Sequence, residues 1–227
     1  MTINDNWKAI RARMNAAAAR FGHQPEEITL VAVTKTVEEE RIREAISLGI
    51  LDVGENRVQE MLRKQEAFSG ARLHMIGQLQ KNKVRLLPQS VVLVQSVDRL
   101  SLLQEMERIG NRDDRQFEAL IQVNVAGEEQ KGGCNPDEVV PILDAAEEMQ
   151  QVRIRGLMMV APAATDCEEI RPVFKKMRTL FEKCRTIGYN RNQLDILSMG
   201  MSHDFEVALE EGATMVRIGT ALFGKRS

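Results

Sequence analysis

The sequence predicts a single (β/α)8 TIM barrel spanning residues 1–227, with an extra N-terminal helix. Three observations carry that expectation. Eight short apolar runs rich in β-branched residues alternate with helical stretches, the pattern of an all-parallel sheet covered on both faces. The chain has 227 residues, close to the length of about 250 at which such barrels close. No G-x-G-x-x-G fingerprint follows the first strand, which removes the main argument for an open doubly wound sheet.

The elements follow in order. Trp7, Ile10, Met14, Ala17 and Phe21 recur at steps of three and four and predict an amphipathic helix that Gly22 stops. The run Ile28 to Lys35 reads as a buried strand. Further strands are expected at Ile50 to Asn56, Leu73 to Gln78, Val91 to Val97, Phe117 to Val125, Val152 to Val160, Leu194 to Gly200 and Thr214 to Phe223. Between them, Ala45, Ile46 and Leu48 mark one helix, and Leu100, Leu103, Met106 and Glu107 another. Phe174, Met177, Phe181 and Cys184 mark a long helix that begins near Ile170, as Pro172 suggests, and closes at Gly188.

Composition excludes several classes. Apolar residues are 43%, charged residues 28%, and the formal charge is -2, so no general attraction to nucleic acid or anionic membrane is expected. No apolar run nears the roughly 18 residues of a membrane span. Met1 to Asp5 lacks the basic start of a secretory signal. Cys134, Cys167 and Cys184 are widely spaced, with no metal-ligand pattern, and read as reduced thiols of a cytoplasmic protein without a metal.

In a barrel, chemistry gathers where strands end and βα loops begin. The predicted ends are Lys35, Gly54-Glu55-Asn56, Gly77-Gln78, the loop Gly127 to Cys134, Ser198 to Ser202, and Arg217 to Thr220. Such barrels commonly hold phosphate at the loops after strands seven and eight. Gly200 and Gly219 let backbone approach an anion, Ser198, Ser202 and Thr220 supply hydroxyls, and Ser202 is a candidate N-cap for a helix Asp204 to Glu211. The plain alternative is two tight turns and one cap. Lys35 shares parity with Val31 and Val33; an apolar surround favours the neutral amine, the form that attacks an aldehyde. The plain alternative there is a solvated surface lysine. Arg217 shares parity with Met215 and Gly219 and needs a partner inside the barrel. That partner is either a carboxylate such as Glu55 or a ring nitrogen that the guanidinium would leave unprotonated. A lysine and a phosphate cradle at one barrel mouth suit pyridoxal 5'-phosphate (PLP).

With these residues in view, the chain resembles the YggS/PROSC family of PLP homeostasis proteins, which share the barrel of the alanine racemase N-terminal domain. The landmarks are Val31-Ala-Val-Thr-Lys35, Gly54-Glu-Asn56, His74-Met-Ile-Gly77, Leu79-Gln80, Asn82-Lys83, Arg155-Gly-Leu-Met158, Ser198-Met-Gly-Met-Ser202 and Val216-Arg-Ile-Gly-Thr220. The resemblance implies Lys35 as the Schiff-base lysine that holds PLP as an aldimine. It implies Ser198, Gly200, Met201, Ser202, Gly219 and Thr220 around the phosphate, Arg217 near the ring nitrogen and Asn56 beside the ring. It also implies a carrier that buffers or delivers PLP, with apo PLP-dependent enzymes as partners, and no efficient turnover. A low-activity racemase-like enzyme is the alternative, and a barrel isomerase or aldolase without PLP a third reading. The racemase reading lacks a second base: the related racemases take a tyrosine from a C-terminal β domain, which this chain is not expected to carry. Tyr189 is expected on the opposite face, His74 as a structural histidine, His203 facing solvent, and the protein as a monomer.

Overall fold

The structure is a computed structural model that describes residues 2–128, 130 and 132–224. Lys131, in the loop after the fifth strand, lies outside the described residues. Eight parallel strands close a barrel in sequential order: β1 (Thr29–Val33), β2 (Asp52–Glu55), β3 (Arg72–Met75), β4 (Val91–Val97), β5 (Phe117–Gln122), β6 (Val152–Met158), β7 (Ile196–Met201) and β8 (Met215–Ile218). Closure comes from β1 pairing with β8, Val31 opposite Arg217 and Ala32 opposite Ile218.

The strands alternate faces because Cβ atoms alternate along extended backbone. Val31, Leu93, Leu120, Met158 and Met215 point inward and form a small interior cluster. Ala32, Val53, Leu73, Val94, Ala119, Ile121, Leu157, Leu197, Val216 and Ile218 point outward into the larger core under the helices. Each Val, Leu, Ile or Met among them contributes about 1.5–3 kcal/mol when fully buried.

The helices are α1 (Ile3–Phe21), α2 (Glu39–Ser47), α3 (Val58–Arg63), α4 (Leu100–Asp113), α5 (Val139–Glu147), α6 (Arg171–Arg185), α7 (Phe205–Glu210) and α8 (Thr220–Phe223). Helix α1 begins at a capping box in which Thr2 and Asp5 exchange hydrogen bonds, and it ends at Gly22 in the left-handed region at φ 97°. Its buried stripe is Ile3, Ile10, Met14, Ala17 and Ala18, and it lies against α7 and α8. Helix α6 starts at Arg171 with Pro172 in its first turn and buries Phe174, Met177, Phe181 and Cys184. Between β3 and β4 a 3-10 stretch, Lys81–Leu86, replaces a full helix.

Most strands are shorter than their apolar runs. β1 stops at Val33, so Lys35 sits in the following turn, where Thr36 adopts φ 59°. β8 stops at Ile218, and the apolar residues beyond it form α8 rather than more strand. Apolarity reports burial, and a helix N-terminal turn packed on the barrel buries side chains as well as a strand does.

Candidate functional site

The C-terminal ends of β2, β1, β8 and β7 are consecutive around the barrel, and they carry Asn56, Lys35, Gly219-Thr220 and Gly200 to Ser202. Lys35 is half-buried, and among the described residues no partner pairs with its amine. Asn56 and the Thr220 hydroxyl are likewise without a protein partner among the described residues. Gly77 holds Asn56 in place: a Cβ there would lie 2.3 Å from the Asn56 carbonyl oxygen.

The turn bearing Lys35 rests on a buried ion cluster. Lys64, at the end of α3, is 3% exposed, and Glu55 is fully buried. Lys64 Nζ lies 3.0 Å from both Glu55 Oε1 and the Thr34 carbonyl, and 3.3 Å from Glu60 Oε2. Thr34 Oγ1 donates to Glu55 Oε1 at 2.9 Å, and Thr36 N donates to Glu60 Oε2 at 3.4 Å. Burial pushes the Glu55 carboxyl up, against the pull of Lys64. Glu55 therefore is not the partner of Arg217. It faces the helix layer, while Arg217 faces the interior, a consequence of strand parity.

Arg217 is 4% exposed. Its Nη1 donates to Ser198 Oγ at 2.5 Å and its Nη2 to the Met159 carbonyl at 2.6 Å. No carboxylate pairs with it among the described residues. Burial pulls its pKa down to about 10, with Asp204 the opposing charge, so the guanidinium stays protonated at neutral pH. Ser198 is fully buried and its hydroxyl donates to Gln95 Oε1 at 2.7 Å. That places it beneath Arg217, not among the groups of the two glycine loops where the sequence reading put it.

The loops themselves differ from expectation in one respect. Asp204, not Ser202, is the N-cap of α7, and its carboxylate accepts from Met201 N at 2.5 Å. Ser202 Oγ instead accepts from Gly219 N at 3.1 Å and Ala221 N at 3.2 Å. It thus satisfies the start of α8 and ties the β7 loop to the β8 loop. The amides of Ser202 and Thr220 keep no protein acceptor among the described residues. Gly200, at φ 92°, is required, because a Cβ there would meet Ala208 Cβ at 2.7 Å. Gly219 packs its bare Cα toward Val33, 3.3 Å from where a Cβ would sit.

These donors fit a ligand with a phosphate, a ring and a carbonyl. Among the described residues, two amides and a hydroxyl without partners lie at the paired loops, the Arg217 guanidinium lies in the barrel on the same strand end, and an unpartnered amine lies across the β1–β8 seam. Asn56 also borders a cavity of about 470 Å³ with Arg57, Gln80 and Lys83. At the other end of the barrel a cleft of about 500 Å³ contains Arg155, Arg178 and Arg185, but carboxylates already pair with all three. Tyr189 lies toward that end and donates to Asp144 at 2.7 Å. His203 is exposed.

Sequence reasoning missed Lys64, Glu60 and Gln95. A signal existed for two of them. Val58, Met61 and Lys64 recur at steps of three on the buried face of α3, and Gln95 shares the inward parity of Leu93.

Residues 5–227 match the model of the alanine racemase N-terminal domain family. The pyridoxal phosphate homeostasis protein of Aquifex aeolicus is 44% identical over 228 residues, covering 100% of this chain and 99% of that protein. The PipY protein of Synechococcus elongatus, solved with PLP bound, superposes with a TM-score of 0.80 at 33% identity, covering 92% of this chain and 100% of that one. An alanine racemase of Clostridium difficile has a TM-score of 0.75 at 12% identity, covering 95% of this chain and 59% of that one, a likeness of fold alone. Fold and site thus define a barrel of the alanine racemase N-terminal class. Within that class, the chain belongs to the YggS/PROSC family, whose relatives carry the name pyridoxal phosphate homeostasis protein.

Proposed function

We propose that this protein binds PLP through Lys35 and serves PLP homeostasis, without efficient turnover of a substrate. The observation that carries this reading is that, among the described residues, a Lys35 amine without a partner and a buried Arg217 without a carboxylate lie on adjacent strands at one barrel mouth. The relatives support it: PipY was solved with PLP, and several are named for PLP homeostasis.

When bound, PLP supplies an aldehyde that joins a lysine amine and a ring that can accept electrons. Lys35 is the nucleophile for that aldehyde. The amides of Ser202 and Thr220 and the Thr220 hydroxyl would hold the phosphate, and Asn56 would lie beside the ring. Arg217 keeps its proton at neutral pH, so next to a bound ring nitrogen it would donate to that atom and leave it unprotonated, which would weaken the ring as an electron sink. Tyr189, bound to Asp144 at the far end, is not placed to act as a base across from Lys35.

The test is spectroscopic. Purified protein with added PLP should gain a visible band that Lys35→Ala lacks, with the fold of the variant intact by circular dichroism. Borohydride reduction and peptide mapping should label Lys35; label chiefly at Lys83 or Lys131 would overturn the assignment. Racemisation and transamination of alanine and serine should match free PLP. A turnover above ~1 s⁻¹ would favour an enzyme instead.

A further inference from the structure

One unbroken line of polar side chains crosses the barrel interior. It starts at the N-terminal ends of β2 and β3, where Arg72 Nε donates to Asp52 Oδ1 at 2.8 Å. Asp52 Oδ1 lies 2.9 Å from His74 Nε2, and His74 Nδ1 lies 3.0 Å from Gln95 Nε2. Gln95 Oε1 accepts from Ser198 Oγ, which accepts from Arg217. His74, Gln95, Ser198 and Arg217 are 3%, 0%, 0% and 4% exposed. Five strands contribute to the line, and it runs through a layer that is otherwise Val31, Leu93, Leu120, Met158 and Met215.

The direction of every hydrogen bond follows from the two charged ends. A guanidinium only donates, so Ser198 Oγ accepts, and its own proton goes to the Gln95 carbonyl. The Gln95 amide nitrogen then donates to His74 Nδ1, which must carry no proton. The imidazole proton is on Nε2, facing the Asp52 carboxylate. With the Ser198 proton on the Gln95 carbonyl, the Gln95 amide nitrogen faces His74 Nδ1 and Met215 Sδ, and the Asp52 carboxylate faces the Nε2 proton. A proton placed on Nδ1 would set two donors face to face across 3.0 Å.

We propose that Asp52, His74, Gln95 and Ser198 form a positioning relay for Arg217. The relay clamps the guanidinium through Ser198 so that its remaining N–H groups face the mouth that holds Lys35, and it sets His74 Nδ1 as the acceptor and Nε2 as the donor. The role toward the ring rests on the PLP reading given above; the tautomer and the clamp do not. Among the described residues, the charged groups facing the relay are Asp52 and Arg72 from β2 and β3, Arg217 from β8, and Asp204 acting on Arg217.

The experiment uses full-length protein and two Gln95 variants. Nitrogen-15 NMR of the imidazoles in ligand-free protein, with His74 assigned through His74→Gln, should show Nδ1 without a proton and the proton on Nε2. Gln95→Leu should shift the His74 Nδ1 resonance and weaken PLP by about three- to tenfold, the value of one hydrogen bond. It should also move the pH midpoint of the visible band of bound PLP, and leave competition by inorganic phosphate unchanged. A merely structural glutamine would lower thermal stability without moving that midpoint. Gln95→Glu keeps the volume and the acceptor for Ser198 but invites a proton onto Nδ1, so His74 should become doubly protonated at neutral pH. If Gln95→Leu does not fold, Gln95→Glu carries the test. A wild-type His74 protonated on Nδ1, or a neutral His74 in Gln95→Glu, would overturn the relay, as would wild-type affinity and an unmoved midpoint in a folded Gln95→Leu. Failure of the wild type to bind PLP would instead overturn the proposed function, and the NMR arm would still decide the relay.

Discussion

Lys64 Nζ and Glu55 Oε1 stand 3.0 Å apart, sealed from solvent beneath the turn that carries Lys35. Among the described residues Glu55 Oε2 has no hydrogen-bond partner, so Lys64 and Thr34 carry the compensation for the buried carboxylate. Removing one partner of such a pair typically costs about 3–5 kcal/mol, because the other charge is left buried and alone. Lys64→Met should cost that much in denaturant unfolding, and the double variant Glu55→Gln/Lys64→Met should cost less. The folded-state pKa of Glu55 is raised, so its contribution is present below its ordinary value of 4.5 and lost as pH rises through the folded value. The Lys64→Met deficit should therefore shrink on acidification. A deficit independent of pH would contradict this account.

Asp52 has the opposite sign. Burial works against its carboxylate, but the hydrogen bonds from His74 and Arg72 outweigh it and hold the pKa below 3.8. Its stabilisation is present above that value and lost as pH falls through the folded one. Asp52→Asn should cost about 1.5–3 kcal/mol at neutral pH, the worth of a hydrogen bond to a charged group. The cost should fade below about pH 4, where the wild type loses the same interaction. Thermal midpoints of both proteins across pH 3–7 check this; parallel curves would refute it.

At the paired loops, Thr220→Val should weaken PLP by roughly ten- to a hundredfold, since one charge-assisted bond is worth about 1.5–3 kcal/mol. Unphosphorylated pyridoxal should lose far less. Equal losses for the two ligands, measured by equilibrium titration, would remove Thr220 from the phosphate site.

The thiols should be quiet. Burial pushes Cys134 up to about 12 and also raises Cys184, which is fully buried. Cys167 is half-buried, and burial together with Asp204, Asp166 and Glu168 raises it too. An aromatic disulfide reagent at pH 8 should react with at most Cys167 in the native protein and with all three thiols after denaturation. Rapid native labelling of Cys134 or Cys184 would show that the barrel opens more readily than its packing implies.

The strand count, the alternation and the site-bearing ends were legible because periodicity and burial are properties of short segments. Lys35, Asn56, Gly200, Gly219 and Thr220 could be placed at the mouth from strand order alone. Roles that depend on a partner were less legible. Ser202 reads as the cap of the helix that follows it, yet Asp204 takes that place and Ser202 caps α8 instead. Ser198 reads as a phosphate group, yet it lies under Arg217.

By itself, the sequence determined the barrel and which strand ends meet at its C-terminal mouth, since each follows from local apolar spacing and chain length. Only the tertiary structure decided what each polar group faces. Glu55 could pair with Arg217 or with Lys64 as far as composition goes; strand parity turns it outward to Lys64 and leaves Arg217 to Ser198 and Met159. The physical reason is that hydrogen bonds join residues 19, 103 and 58 positions apart, as in Arg217 to Ser198, Ser198 to Gln95 and Arg217 to Met159. No local pattern encodes such separations until the barrel closes and brings β4, β6, β7 and β8 around one interior.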